Sequence, residues 1–81
     1  MNINDLVLFL VKSVAKDKES ISISKIETEN EDIIEVIISE DDMKRVIGKN
    51  GSVINSIRTL TSSAAYANNL KRTKVNVDYI K

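Results

Sequence analysis

Both glycines of this 81-residue chain lie within four residues of each other, in the stretch RVIGKNGSVINSIR at positions 45–58. A short apolar run precedes them, and a segment with helical spacing follows them. Glycine is needed where the backbone takes a positive φ, or where another group comes too close for a Cβ atom. The segment Gly48-Lys49-Asn50-Gly51 is therefore predicted to form a tight connection between two helices.

Length and composition limit the possible functions. A chain of 81 residues encloses one core, so residues 1–81 are expected to form a single domain. No apolar run approaches the roughly 18 residues of a membrane span, and Asp5 stands where a secretory leader would be basic, so a cytoplasmic protein is expected. Cysteine and histidine are both absent. Disulfides, the usual zinc sites and the commonest catalytic groups are thereby removed, and neither an enzyme nor a cofactor or metal site is expected.

Charge is unevenly distributed along the chain, although the formal net charge is zero. Residues 27–42 include eight acids and no base, whereas residues 43–77 include seven bases and no acid: Lys44, Arg45, Lys49, Arg58, Lys71, Arg72 and Lys74. A charge run is often only a solvated face. Here the basic half contains the glycine connection, which favours a polyanionic ligand.

Hydrophobic periodicity predicts a helix, a hairpin, two helices and a strand. A helix over residues 3–16 begins at an Asn2 cap. A strand follows over 21–26, and the slip in its alternation predicts a bulge or the end of the strand near Lys25 and Ile26. The nearly continuous apolar run at 33–39 predicts a second strand that is buried on both faces.

The second half of the chain is predicted to contain the two helices and the last strand. Ser39 and the three acids that follow it are expected to cap a short helix over 43–47. A longer helix begins at Ser52 and ends at Asn68, with an apolar stripe of Val53, Ile57, Leu60 and Ala64 that Ile54 widens. A third strand covers 74–80.

Three interpretations of the glycine connection remain open. It is a plain interhelical turn, or a helix-turn-helix, or an anion site in which amides around Gly51, Ser52 and Val53 point outward at a helix N-terminus. A nucleotide-binding P-loop is excluded, because it needs four residues between its glycines and then Lys-Ser/Thr. A GxGxxG dinucleotide fingerprint is excluded as well.

The string VIGKNGSVI, with a helix on each side, resembles the GXXG loop of KH domains, which clamps about four nucleotides of single-stranded RNA. The order α-β-β-α-α-β resembles the type II KH arrangement, an α+β fold with a three-stranded sheet packed against three helices. The length and the run IGKNGSVINSIRTL are similar to those of small stand-alone bacterial KH proteins of the KhpA type.

The resemblance implies a non-catalytic module for single-stranded RNA, acting as a post-transcriptional regulator or RNA chaperone. It also implies a homodimer, or a heterodimer with a larger KH-domain-containing RNA-binding protein, and a link to bacterial growth and division. Self-association is expected through the stripe of Ile54, Ile57 and Leu60. The alternative interpretation is a protein-interaction subunit that mainly dimerises, with RNA binding secondary.

The candidate RNA-binding residues surround the glycines. Their expected roles are backbone access, phosphate contact, an extended positive strip, and an apolar floor for the bases. The strand at 33–38 is expected to offer its backbone edge or alternate side chains to the bases. The set is Gly48, Lys49, Asn50, Gly51, Ser52, Arg45, Arg58, Ile47 and Ile54. Ser52 stands where such proteins often carry a basic residue.

Overall fold

The computed structural model describes residues 2–80. Its elements are α1 (Ile3–Val14), β1 (Ser22–Glu27), β2 (Glu31–Ser39), α2 (Met43–Ile47), α3 (Ser52–Ala67) and β3 (Arg72–Ile80), with short 3₁₀ turns at Lys18–Ser20, Glu40–Asp42 and Lys49–Gly51. The predicted order and the α+β class are confirmed. β2 and β3 each begin two residues before the predicted start. Over this part of the chain, no helix combines the length and apolarity that a membrane crossing requires.

The three strands form one mixed sheet with β2 in the centre. β1 and β2 form the predicted antiparallel hairpin, whereas β3 pairs with β2 in parallel. A parallel pair needs a long crossover, and α2 with α3 supplies it. Of the two outcomes predicted near Lys25 and Ile26, a bulge or a strand end, the strand end is confirmed, because β1 pairs without interruption from Ser22 to Glu27 and ends there. Ile26 breaks the alternation because it lies on the outer face of the sheet, opposite Ile33.

The two faces of β2 differ in burial, so the prediction of a strand buried on both faces is wrong. The side chains of Asp32, Ile34, Val36 and Ile38 are buried, and the alternate residues are half-buried. The helices cover only one face. On the other face the neighbouring strands shield β2 partly, and this central position explains why its sequence reads as continuously apolar. The backbone of β2 is paired on both sides and offers no free edge.

One hydrophobic core lies between the helices and the inner face of the sheet. Three residues of α1 contribute at helical spacing, Ile3, Val7 and Val11, and they meet β2, α3, Val46 and Val75. This arrangement confirms the amphipathic pattern predicted for α1. The predicted N-cap is also confirmed, because the Asn2 side chain accepts the Asn4 amide at 2.8 Å.

The inward face of α3 is rotated from the predicted stripe. Ile54, Ile57, Thr61 and Ala65 are buried, whereas Leu60 is 51% exposed. Thr61 was not expected inside, but its hydroxyl donates to the Ile57 carbonyl at 2.7 Å and is satisfied within the helix. Because Ile54 and Ile57 lie in the core, the stripe predicted for self-association is not available on the surface.

A buried carboxylate explains why α1 ends at Val14 and not at residue 16. Asp42 is 1% exposed and accepts the backbone amides of Lys16 and Asp17, each at 2.8 Å. The Lys16 amide is the main cause that lowers the pKa of Asp42 below its ordinary value of 3.8, against the opposing effect of burial. Asp42 stands at the N-cap of α2, within the predicted acidic group, but its side chain makes no cap hydrogen bond to α2 and instead joins the end of α1 to the start of α2.

Candidate nucleic-acid interface

The connection between α2 and α3 has an unusual backbone. Gly48 ends α2 with φ 77° and ψ 174°, Asn50 has φ 56° and Gly51 has φ 76°. Asparagine tolerates the left-handed region better than most side chains, so the sequence Gly-Lys-Asn-Gly suits these angles. The tight connection is confirmed, and its shape follows from three positive φ values in four residues.

The two glycines are needed for different reasons. A Cβ atom at Gly48 would lie 2.8 Å from the Val53 backbone nitrogen and would overlap the Val53 side chain. The close approach at Gly48 is therefore internal to the protein. At Gly51 the nearest atom to such a Cβ would be Asn55 Nδ2, at an ordinary 3.5 Å, so this glycine is required by its φ and the space beside it remains open.

The backbone amides predicted to face a phosphate are partly used inside the connection. The Gly51 amide donates to the Gly48 carbonyl at 3.2 Å, and the Ser52 amide donates to the Lys49 carbonyl. The prediction that both point outward is wrong, because the 3₁₀ turn takes them up. Lys49, Asn50 and Ser52 nevertheless have exposed side chains. These three side chains are therefore more available to a ligand than the Gly51 and Ser52 amides.

An open apolar groove of about 440 Å³ borders the connection. It is lined by Met43, Lys44, Ile47, Gly48 and Lys49, and the half-buried Ile47 provides part of its floor. The other apolar candidate, Ile54, is only 3% exposed. The structure therefore brings Ile47 to the groove, whereas the side chain of Ile54 belongs to the core.

Arg45 is held at the far end of α2 from Gly48. Its guanidinium donates to the Asp41 carbonyl at 2.9 Å and to Asp42 Oδ1 at 3.2 Å. These contacts direct the side chain toward the start of α2. The structure therefore does not bring the Arg45 guanidinium to the Gly-Lys-Asn-Gly connection.

Arg58 lies beside a second groove, between α3 and the free edge of β3. Its Nε donates to the Val75 carbonyl at 3.2 Å. The groove has a volume of about 340 Å³ and is lined by Arg58, Ser62 and residues 72–76. Arg72 was not among the predicted site residues. It reaches this groove because the parallel crossover places the start of β3 alongside α3, and the only sequence signal for it was the basic run itself.

Charge segregation along the sequence is reduced by the fold. Three of the seven bases form ion pairs with acids of the preceding segment: Arg45 with Asp42 at 3.2 Å, Lys71 with Asp32 at 3.5 Å, and Lys74 with Glu31 at 3.8 Å. Within residues 2–80 the other four bases, Lys44, Lys49, Arg58 and Arg72, have no ion-pair partner. All four line one of the two grooves.

Proteins from several bacteria are similar in sequence to this chain over most of its length. The RNA-binding protein KhpA of Clostridium perfringens is 34% identical over 67 residues, which cover 83% of this chain and 89% of that protein. The RNA-binding protein KhpA of Listeria monocytogenes is 34% identical over 67 residues, covering 83% and 88%. That of Borreliella burgdorferi is 32% identical over 65 residues, covering 80% and 79%.

Solved structures of the protein Era have a similar fold. Aquifex aeolicus Era bound to GDP and aluminium fluoride matches with a TM-score of 0.69 at 16% identity, over 96% of this chain and 30% of that one. Era in complex with MgGDPNP and nucleotides 1506–1542 of 16S ribosomal RNA matches with a TM-score of 0.70, with the same identity and coverage. The chain spans about a third of Era, and at this identity the likeness shows the fold alone.

A family model described as "KhpA/KhpB, KH domain" matches residues 4–78, which is nearly the whole of the described chain. The family is not one of enzymes, and this confirms the expectation of a non-catalytic protein. The match contains the Gly-Lys-Asn-Gly connection, both grooves, β1, β2 and all but the last two residues of β3. The chain belongs to the KhpA/KhpB family of KH domains.

Proposed function

We propose that this chain acts as a single KH domain that binds single-stranded RNA, with the Gly-Lys-Asn-Gly connection contacting the RNA backbone. The observation that carries the proposal is the exposure of Lys49 and Asn50 on a connection whose backbone is held by internal hydrogen bonds, next to an apolar groove. The relatives are named RNA-binding proteins, and this supports the choice of ligand. RNA binding also accords with a cytoplasmic protein.

The geometry suggests how the ligand is held. Lys49 and Asn50 contact phosphates, Ser52 offers a hydroxyl at the start of α3, and the open space at Gly51 lets the sugar-phosphate chain approach. Bases lie against Ile47 in the apolar groove. Arg58 extends the positive strip along α3, whereas Arg45 stabilises the start of α2 through Asp42.

Substituting Lys49→Asp and Asn50→Asp together tests this proposal. Both positions are exposed and both glycines remain, and aspartate also tolerates a positive φ, so stability should change by no more than about 0.5 kcal/mol per site. Two carboxylates now repel the phosphates. Affinity for oligouridylate should fall at least about tenfold, which is about 1.4 kcal/mol.

The matched control is Lys12→Asp with Ser13→Asp, an adjacent exposed pair on α1 that lies outside both grooves and changes the net charge equally. The control should retain the affinity of the unaltered protein, apart from a small general charge effect. If the loop variant is folded and binds RNA as well as this control does, the connection is only a turn.

We also propose that the domain associates with a second copy or with a larger KH-domain protein, as the alternative function requires. The surface predicted for this was the α3 stripe, of which only Leu60 remains exposed. Phe9 on α1 is 68% exposed and is a further apolar contact point. Light scattering at micromolar concentration tests self-association, and a strict monomer argues against the homodimer.

A further inference from the structure

Asn50 and Gly51 form the one Asn-Gly pair of the sequence. The side-chain amide of an asparagine reacts with the backbone nitrogen of the next residue, and a Cβ atom on that next residue hinders the attack. Glycine removes the hindrance. Each of the other seven asparagines is followed by a residue that carries a side chain. The Gly-Lys-Asn-Gly connection therefore contains the asparagine that is most reactive by its sequence.

The surroundings of Asn50 leave its side chain free to react. It is exposed and makes no side-chain hydrogen bond within residues 2–80. By contrast, the side-chain amides of Asn68 and Asn76 donate to protein oxygens at 2.7 and 3.3 Å. A Cβ atom at Gly51 would have no neighbour closer than 3.5 Å. No tightly packed group therefore has to move when the backbone rotates at this position.

The closed turn holds the two reacting atoms apart. The reaction closes a ring through the Asn50 side chain, for which the Gly51 nitrogen has to rotate onto the side of Cα that carries Cβ. The ψ of Asn50 is 28°, so this nitrogen lies instead near the Asn50 nitrogen. A hydrogen bond from the Gly51 amide to the Gly48 carbonyl, at 3.2 Å, holds it there. Opening this surface turn also releases Asn50 from a positive φ, so local opening permits the reaction.

We infer that Asn50 is a site of spontaneous deamidation, which switches off RNA binding in copies of the protein that carry no RNA. In the opened turn the Gly51 amide gives its proton to water, and its nitrogen forms a bond to Asn50 Cγ. The bond from Cγ to the side-chain nitrogen breaks, and that nitrogen takes up a proton and leaves as ammonia. Water then opens the cyclic imide to aspartate or isoaspartate. One water is consumed and one ammonia is released, without an oxidant or a cofactor.

The effect on RNA rests on the proposed function, in which Asn50 contacts a phosphate. The reaction places a carboxylate at this position, and the carboxylate repels the phosphate. Aspartate tolerates a positive φ, so the fold is retained. RNA that binds only the closed turn lowers the population of the open form, so bound RNA slows the reaction. Deamidation thereby acts on the protein in proportion to the time that it spends without RNA.

The test is incubation of the full chain at pH 8, with conversion at each asparagine followed by peptide mass spectrometry. Asn69 is the internal reference, because it is exposed and has the same φ of 56° but precedes Leu70. Asn50 should convert at least about tenfold faster than Asn69. Saturating dodecauridylate should slow the conversion of Asn50 at least about tenfold. The acidic product, separated by ion exchange, should bind dodecauridylate at least about fivefold more weakly than the unaltered protein.

Asn50→Gln is the matched variant, because glutamine retains the amide but closes a larger ring much more slowly. Whatever its starting affinity for dodecauridylate, that affinity should be the same before and after the incubation. Equal conversion at Asn50 and Asn69 overturns the modification site, while the proposed function stands. If Asn50 converts rapidly with and without RNA and the product binds dodecauridylate as before, the control of RNA binding is overturned together with the proposed contact at Asn50.

Discussion

Gly48 and Gly51 are both needed at positive φ, but only Gly48 is also needed because another residue packs against its Cα. The angles of Gly48, φ 77° with ψ 174°, belong to a region that is essentially restricted to glycine, and Val53 fills the space where a side chain would begin. Gly51 is left-handed, with no close neighbour. The sequence predicted that both glycines were needed, but the identity of the group that approaches Gly48 depends on the packing of α3.

Substituting these glycines by alanine should therefore have unequal effects. Gly48→Ala combines a forbidden backbone region with a steric clash and should lower the free energy of unfolding by at least about 2 kcal/mol. Gly51→Ala should cost about 1 kcal/mol, because only the left-handed conformation opposes it. Urea denaturation at neutral pH measures both. If both variants lost the same unfolding free energy, the close contact between Gly48 and Val53 would be contradicted.

Asp42 should make stability depend on pH. Because its folded-state pKa is lowered from 3.8, its contribution is complete above about pH 4 and is lost as the pH falls toward the folded-state pKa. Asp42→Asn should lower the melting temperature at pH 7. The asparagine side chain has one accepting oxygen, whereas the backbone N–H groups of Lys16 and Asp17 donate to the two different carboxylate oxygens of Asp42. The difference in melting temperature between Asp42→Asn and the unaltered protein should become smaller below pH 4.

Asp41→Asn is the matched control for this pH dependence, because the neighbouring Asp41 is exposed. It should leave the melting temperature nearly unchanged from pH 7 to pH 3. If the difference in melting temperature between Asp42→Asn and the unaltered protein stays constant from pH 7 to pH 3, the Asp42 carboxylate does not cause the pH dependence.

At the level of the elements, helical and strand periodicity was sufficient to predict what forms but not how each element is oriented. The stripe on α3 was misplaced because Thr61 is polar and Leu60 is apolar, although Thr61 can satisfy its hydroxyl within the helix and be buried. The parallel pairing of β2 with β3 leaves no signal in either strand alone. The Arg58–Arg72 groove, which depends on that pairing, was therefore missed.

A pair of substitutions on α3 distinguishes the observed stripe from the predicted one. Ile57→Ala removes a side chain that is 4% exposed, and it should cost about 2–4 kcal/mol of unfolding free energy. Leu60→Ala should cost less than about 1 kcal/mol, because half of that side chain is already in water. A larger loss at Leu60 than at Ile57, by urea denaturation, would contradict the orientation of α3.

On the scale of the whole molecule, the fold decides which charges are free. The acidic segment becomes β2 and the turn after it, and the basic segment becomes α2, α3 and β3. Because β2 pairs with β3, Glu31 and Asp32 lie near Lys74 and Lys71 and neutralise them. A count of bases along the sequence therefore overestimates the positive surface that a polyanion meets.

The salt dependence of RNA binding should report how many bases of the segment 43–77 are free of ion pairs within the described chain. Lys44, Lys49, Arg58 and Arg72 give four phosphate contacts, so the logarithm of the association constant for dodecauridylate should fall with the logarithm of salt concentration with a slope of about −3, at roughly 0.7 per contact. If all seven bases took part, the slope would be about −5.

Glu31→Gln releases Lys74 from its ion pair without altering any base, so it should steepen the slope by about 0.7 and strengthen binding at low salt. Glu29→Gln, at an exposed turn position that forms no ion pair within residues 2–80, adds the same net charge and should leave the slope unchanged. If both variants steepen the slope equally, net charge governs the affinity. If only Glu31→Gln does so, the pairing of β2 with β3 sets how much of the basic segment reaches the RNA.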